Sequence, residues 1–305
     1  MTSRLAVILS QARDGTPEQR RLETQLVEQL SAIPGIELSV VPHLYDLPPA
    51  GRAAGNLQAM AGDLVVLSWL YPRAAFWVLD ANGLTGRMGV TRFFSKEELE
   101  SRSHNPKRTK AARTIWCLDL RAADEPRIIV EEVQRILTEA AGGVPTATAG
   151  GAPRAIAEPA GPRWYPVIDY DRCTDCLECL NFCLFGVFDV DQQQSLYVEQ
   201  PDACRPGCPA CARICPSGAI MFPAHQEPVI AGHGVGGHEA FKLDLSQLFQ
   251  GVDGTTLAAA ERARALAAQN AGQPAVEPPA SAPAPAPPRA KDDLDRLVDG
   301  LDELP

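Results

Sequence analysis

Eight of the chain's nine cysteines fall between residues 173 and 215. They form two runs. The first is Cys173-Thr-Asp-Cys176-Leu-Glu-Cys179-Leu-Asn-Phe-Cys183, spaced C-x2-C-x2-C-x3-C. The second is Cys204-Arg-Pro-Gly-Cys208-Pro-Ala-Cys211-Ala-Arg-Ile-Cys215, spaced C-x3-C-x2-C-x3-C and followed by Pro216. Three closely spaced thiolates can reach three corners of one iron–sulfur cube, while the backbone wraps it and points N–H groups at its sulfides. The fourth cysteine of each run then points away, toward another cube. Zinc is the competing chemistry for C-x2-C pairs. Its pairs usually stand roughly a dozen or more residues apart, and a third cysteine two residues on crowds a tetrahedral ion.

The runs and their flanks resemble the bacterial-type ferredoxins with two [4Fe–4S] clusters. The resemblance covers residues 165–222. Val167 and Ile168 precede the first run as a strand would, and Ser217-Gly218-Ala219-Ile220 follows the second as the family's Pro-x-Gly-Ala-Ile turn does. The resemblance implies an α+β ferredoxin-like di-cluster domain, two [4Fe–4S] clusters as cofactors, and crossed ligation. Cys173, Cys176, Cys179 and Cys215 would hold one cluster; Cys204, Cys208, Cys211 and Cys183 would hold the other. Two positions depart from the family. Leu184 stands where Pro usually follows the fourth cysteine, which loosens a turn. The extra residue between Cys204 and Cys208 lengthens a loop around one cube. Neither removes a ligand.

Residues 1–142 alternate between strand-like and helix-like stretches. Residues 5–9, 36–41, 64–70 and 114–120 are short apolar runs that read as strands. Thr16 followed by Pro17 marks a helix start, and Leu22, Leu26, Val27 and Leu30 follow at helical spacing until Pro34–Gly35. Residues 73–79 and 128–140 read as further helices, the latter with Ile129, Val133, Ile136 and Leu137 on one face. The alternation predicts parallel βαβ units in a three-layer α/β domain over residues 1–142. Residues 1–80 also carry a faint similarity to small sirohydrochlorin and cobalt chelatases. Those proteins end the first strand in His-Gly-Ser-Arg, where this chain has Ser10-Gln11-Ala12-Arg13 and no metal-binding His. The loop over residues 10–16 is polar and leads into a helix, a place where an anion can bind. It has no Gly-rich phosphate pattern, so an ordinary capped turn is the expectation.

Residues 143–162, rich in Gly, Ala, Pro and Thr, read as a linker, and 163–223 as the ferredoxin-like segment. Residues 224–270 read as loop and a short helix near 257–268. Residues 271–290, with seven Pro and seven Ala, read as an extended spacer. Residues 291–305 read as a short acidic amphipathic helix, with Leu294, Leu297, Val298, Leu301 and Leu304 on one face. His225, His233 and His238 match no common metal motif and are expected to be loop residues. Cys117, inside an apolar strand, is expected to be a small core residue.

The net charge is −10, from 38 acids and 28 bases. The acidic excess lies entirely beyond residue 162, which argues against nucleic-acid binding. No apolar run is long enough to span a membrane, and nine cysteines without a signal peptide predict a cytoplasmic protein with metal or redox chemistry. The expected function is electron transfer through two [4Fe–4S] clusters, with the α/β domain docking a redox partner. The basic stretch 87–113 and the 291–305 helix are the candidate docking elements. Two alternatives remain. One is a redox enzyme or enzyme subunit whose α/β domain binds a substrate or cofactor; no acid, base or nucleophile constellation points to it. The other is a scaffold subunit with structural clusters.

Overall fold

The computed structural model describes residues 4–94, 113–123, 125–140, 151–159, 161–234 and 254–271. The 291–305 helix, the 271–290 spacer, His238 and most of the basic stretch 87–113 lie outside the described residues. Residues 1–267 form one compact unit and 268–305 a second; of the latter only the end of a helix is described.

The N-terminal part is built on a six-stranded parallel sheet. Its strands are β1 (Leu5–Ser10), β2 (Ile36–Val41), β3 (Leu64–Ser68), β4 (Arg87–Met88), β5 (Thr114–Asp119) and β6 (Arg154–Ala155), in the spatial order β4-β5-β3-β1-β2-β6. The four strands read from the sequence are its centre. Both of their faces are buried, so they appear as continuous apolar runs rather than alternating ones. Leu5, Val7 and Leu9 of β1 point to one face and Ile8 to the other; Val65 and Leu67 of β3 oppose Leu64 and Val66 in the same way. The two edge strands are only two residues long and carry no period that a sequence could show. One of them, β6, lies inside the segment expected to be a linker. Arg154 and Ala155 pair with Ser39 and Val40 of β2, and Glu158 then accepts hydrogen bonds from the Arg52 and Ala53 N–H groups at the start of helix α2 (Arg52–Gln58).

Helix α1 (Pro17–Ser31) starts at a complete capping box: Thr16 Oγ1 accepts from the Gln19 N–H, and Gln19 Oε1 accepts from the Thr16 N–H. It packs beside α4 (Pro126–Ala140) on one face of the sheet. There Leu26 and Leu30 meet Ile129, Val133, Ile136 and Leu137, all buried. Each such side chain contributes about 1.5–3 kcal/mol on burial. Helices α2 and α3 (Pro72–Ala81) cover the opposite face. That second layer continues without a break into residues 163–234, because Tyr165, Val167, Ile168, Phe222 and Ile230 belong to the same apolar cluster as Leu57, Val66 and Trp77. No helix among the described residues is long and apolar enough to cross a membrane.

Candidate metal centre

Residues 163–223 pack around two small antiparallel pairings. Strand β7 (Val167–Ile168) pairs with β10 (Ile220–Met221), and β8 (Phe188–Val190) with β9 (Leu196–Val198). The first pairing sets Ile168 opposite Ile220, so Cys173, just after one strand, is brought to Cys215, just before the other. The second sets Phe188 opposite Val198, which brings Cys183 toward Cys204. Helices α5 (Glu178–Phe182) and α6 (Ala210–Ile214) each carry the third cysteine of a run and end at the fourth; the short α7 (Pro228–Ala231) follows β10. The strand pairing therefore brings the last cysteine of each run toward the other run, which the spacing within a run does not do.

The loops around the thiols are wound tightly. Asp175 and Leu177, between the first three cysteines, have φ of 53° and 62°. Non-glycine residues rarely adopt this left-handed conformation, which here turns backbone N–H groups toward the sulfurs. The extra residue of the second run is absorbed at Gly207, with φ 78°, a geometry that favours glycine. The Ala219 N–H donates to Cys215 Sγ at 3.3 Å. The Asp175 and Arg205 N–H groups do the same for Cys173 and Cys204.

Burial pushes the Cys173 thiol up to about 11, and the charges of Asp175, Cys215 and Cys176 add to it. Cys179 is pushed up to about 12, first by burial and then by Cys215, Cys173 and Cys176. Cys204 rises to about 12 through burial and then Cys208 and Cys183. Cys208 and Cys211 also rise, by burial first, and Cys183 acts on both. The thiols thus fall into two facing sets: Cys173, Cys176, Cys179 and Cys215, and Cys183, Cys204, Cys208 and Cys211. The sets adjoin where Cys179 acts on Cys211. Four sulfurs, all but Cys176 at least half-buried, that repel one another when ionised fit a cationic core that would hold them as thiolates.

The second set lines a cavity whose other walls include Phe182, Leu184 and Phe188. Its donor set is sulfur alone, the set an iron–sulfur cluster takes. A tetrahedral zinc with Zn–S bonds near 2.3 Å would draw its sulfurs to ~3.8 Å from one another. Among the described residues, the only three such ligand atoms within 4.8 Å of one another belong to His225, Glu227 and Glu261. The cysteine sets are therefore spread more widely than one zinc ion allows.

The His225 group is not open for a metal. Arg213, buried, forks between Glu227 and Glu261, and His225 Nδ1 accepts from the Glu227 N–H at 3.0 Å. Of the other two histidines read from the sequence, His233 packs edge-on against Tyr71 and His238 is outside the described residues. Cys117 is fully buried in β5, its thiol pushed up by that burial.

The loop over residues 10–16 joins the two parts of the molecule. Ser10 Oγ accepts from the Leu44 N–H and donates to the Pro42 carbonyl. Glu23 takes the Ala12 N–H at 2.6 Å and the Trp69 indole N–H at 2.9 Å, so carboxylate already occupies donors an anion would need. Arg13 pairs with Asp46, which also accepts the Arg163 N–H. The joint extends through Tyr45, whose hydroxyl accepts the Tyr165 N–H and donates to the Tyr165 carbonyl, the two rings stacked at 4.4 Å. On α3, Arg73 donates to Asp169 at 2.6 Å and to the Gly218 carbonyl at 2.7 Å. Gly232, with φ 102°, lies so close to α3 that a Cβ there would meet Ala74 Cβ at 2.8 Å. The sequence singled out the 10–16 loop but did not mark Tyr45 or Arg73, whose partners Tyr165 and Asp169 lie 120 and 96 positions away.

No protein-family model matches the chain. The cysteine segment is similar to an uncharacterized ferredoxin of Methanocaldococcus jannaschii, at 41% identity over 66 residues, 21% of this chain and 44% of the relative. It is 40% identical to a ferredoxin of Methanothermococcus thermolithotrophicus over 55 residues, 17% of this chain and 88% of that protein. It is 38% identical over 57 residues to pyruvate synthase subunit PorD of Methanothermobacter marburgensis, 19% of this chain and 63% of the relative. The fold and the sulfur-only site define an iron–sulfur protein. Through this segment the chain belongs to the ferredoxin family. It spans under half the length of the M. jannaschii relative, and the sheet part lies outside the similarity to the shorter ferredoxin.

Proposed function

We propose that the chain is an electron-transfer protein with two [4Fe–4S] clusters, one on Cys173, Cys176, Cys179 and Cys215 and one on Cys204, Cys208, Cys211 and Cys183. The observation that carries this reading is the exchange of fourth cysteines, with Cys215 acting on Cys173 and Cys179, and Cys183 on Cys204 and Cys208. Each cluster, when bound, supplies one-electron chemistry at a potential set by charge, hydrogen bonds and burial. The protein's own part is to hold the eight thiolates, exclude water from the buried ones, and aim N–H groups at sulfur. The adjoining sets give a short path between clusters.

The α/β part anchors the ferredoxin segment through Arg13, Tyr45 and Arg73 and offers a surface for a redox partner. The likeness to a subunit named for pyruvate synthase supports a larger oxidoreductase as that partner, so the chain acts as a redox subunit or a carrier rather than a stand-alone enzyme. The basic stretch 87–113 and the 291–305 segment are the docking elements proposed for it. Eight cysteines read as cluster ligands rather than as disulfide partners support a reducing compartment, the cytoplasm, for the protein.

Iron and acid-labile sulfide analysis of anaerobically purified protein tests the cofactor reading. About eight of each per chain is the expected result for two cubes. Stoichiometric zinc without sulfide overturns it. Anaerobic co-purification with the tagged chain tests the partner reading: recovery of an oxidoreductase supports the redox subunit, and the chain emerging alone as a reducible protein supports the carrier.

A further inference from the structure

We propose that helix α8 (Gly254–Ala271) is a cap over the Cys183–Cys204–Cys208–Cys211 set and that Arg262 raises that cluster's reduction potential, leaving the Cys176 edge of the other set as the port for electrons. The proposal rests on the two-cluster reading above.

The two sets differ in access. In the first, Cys176 is exposed, Cys173 half-buried, and Cys179 and Cys215 buried; in the second, Cys183 is half-buried and Cys204, Cys208 and Cys211 are buried, so the exposed thiol belongs to the first set. Helix α8 covers the second set at Cys208. Ala258, with no exposed surface, packs in one cluster with Cys208 and Ala210, and Phe182, Phe185 and Ile214 close around them. A small side chain at this contact lets the helix backbone come down close to the cavity. The helix is pinned by a charged fork. Arg213, whose side chain is 1% exposed, binds Glu261 of α8 with Nε and one terminal nitrogen, and also binds Glu227. With two carboxylates on one buried guanidinium, the group keeps a net negative charge, which opposes reduction of the nearby cluster.

Arg262 is placed differently. It lines the cavity beside all four cysteines. Its guanidinium donates to the Phe182 carbonyl at 2.9 Å and lies 4.2 Å from the centre of the Phe182 ring. Those partners are uncharged, so its positive charge beside the cavity is not cancelled by them. Reduction adds one electron to a core held by four thiolates, with no bond made or broken. Burial opposes that added charge and a nearby cation favours it, more strongly in a dry site than in water. Arg262 therefore offsets the penalty that the cap itself imposes.

The test is an anaerobic redox titration of the full-length holoprotein, followed by electron paramagnetic resonance, with dithionite as reductant. Arg262→Gln is expected to lower one of the two reduction waves by on the order of tenfold in its equilibrium constant, about 59 mV for one electron. The other wave stays in place, and Arg262→Lys restores most of the shift. Waves that do not move, or that both move equally, overturn the assignment of Arg262. The cap has its own readout. In Ala258→Asp, an iron chelator is expected to remove about half of the iron several-fold faster than from wild type, the proportion one of two cubes holds. Loss at the wild-type rate overturns the cap. Iron analysis of the same wild-type samples separates the two levels: a full iron complement with no effect of either variant defeats this proposal alone, whereas wild-type protein without iron defeats the two-cluster reading as well.

Discussion

Arg73 and Tyr45 hold the ferredoxin segment to the sheet, and each does so from a position that would pass for ordinary helix or loop. Arg73 lies in the first turn of α3, yet its side chain and that of Asp169 are both about nine-tenths buried or more. Removing Arg73 leaves the buried Asp169 carboxylate with the more distant Arg172 guanidinium, at 3.6 Å, as its remaining charged partner. Arg73→Ala is therefore expected to destabilise the protein by about 3–5 kcal/mol, read as a drop in thermal midpoint of the anaerobic holoprotein. An unchanged midpoint would show that Asp169 is satisfied by its local N–H donors at Asp171 and Arg172. Tyr45→Phe keeps the stacked ring and removes only the hydroxyl. It leaves the Tyr165 N–H without its side-chain acceptor, at a cost of about 1–3 kcal/mol. That smaller loss should leave iron content unchanged, because the bond is to backbone and not to a cysteine.

At the scale of elements, the pairing of β7 with β10 and of β8 with β9 decides which cysteines meet. Loss of one thiol should then damage the set on the other run. In Cys183→Ala, spectra are expected to lose the cluster of Cys204, Cys208 and Cys211; in Cys215→Ala, that of Cys173, Cys176 and Cys179. Each variant losing its own run's cluster instead would refute crossed ligation. The extra residue of the second run permits a separate test. A Cβ at Gly207 would meet nothing within 4 Å, so only backbone conformation opposes a substitution. Gly207→Val should cost roughly 1–2 kcal/mol or more from the left-handed φ, while Gly207→Asn should cost less. Comparing chelator-induced iron loss for the two variants checks the ordering, and equal rates would mean the loop relaxes out of that conformation.

For the whole molecule, the uneven charge is the feature with the widest reach. Acids exceed bases only after residue 162, and Asp189, Asp191 and Glu199 all act on Tyr197 of the β8–β9 hairpin. The Leu196 N–H of that hairpin donates to Asp175 at 3.1 Å, which ties the acidic hairpin to the loop around the more exposed cysteine set. Electrons should pass to a small cationic oxidant such as hexaammineruthenium several-fold more slowly at about 0.5 M salt than at low salt. Transfer to ferricyanide should show the opposite trend. Stopped-flow rates of the reduced protein measure both, and salt-independence in each case would remove the electrostatic account.

The cysteine chemistry, the four central strands and the long helices were legible in the amino-acid sequence, because each rests on local rules. Ligand spacing is a property of one loop. A strand buried on both faces is a continuous apolar run, as at residues 64–68, and α1 announces itself by Thr16 and Pro17. What the sequence by itself could not determine were the features made by distant partners. The two-residue edge strands β4 and β6 exist only because β5 and β2 offer them hydrogen bonds. The fork at Arg213 needs Glu227 and Glu261, and the latter belongs to a helix whose Ala-rich sequence shows no apolar stripe aimed at the thiols. The joining of sheet and ferredoxin segment into one apolar core was decided in the tertiary structure for the same reason. Burial of Tyr45 against Tyr165, or of Arg73 against Asp169, depends on where a hundred intervening residues carry the chain, and no short-range pattern encodes that.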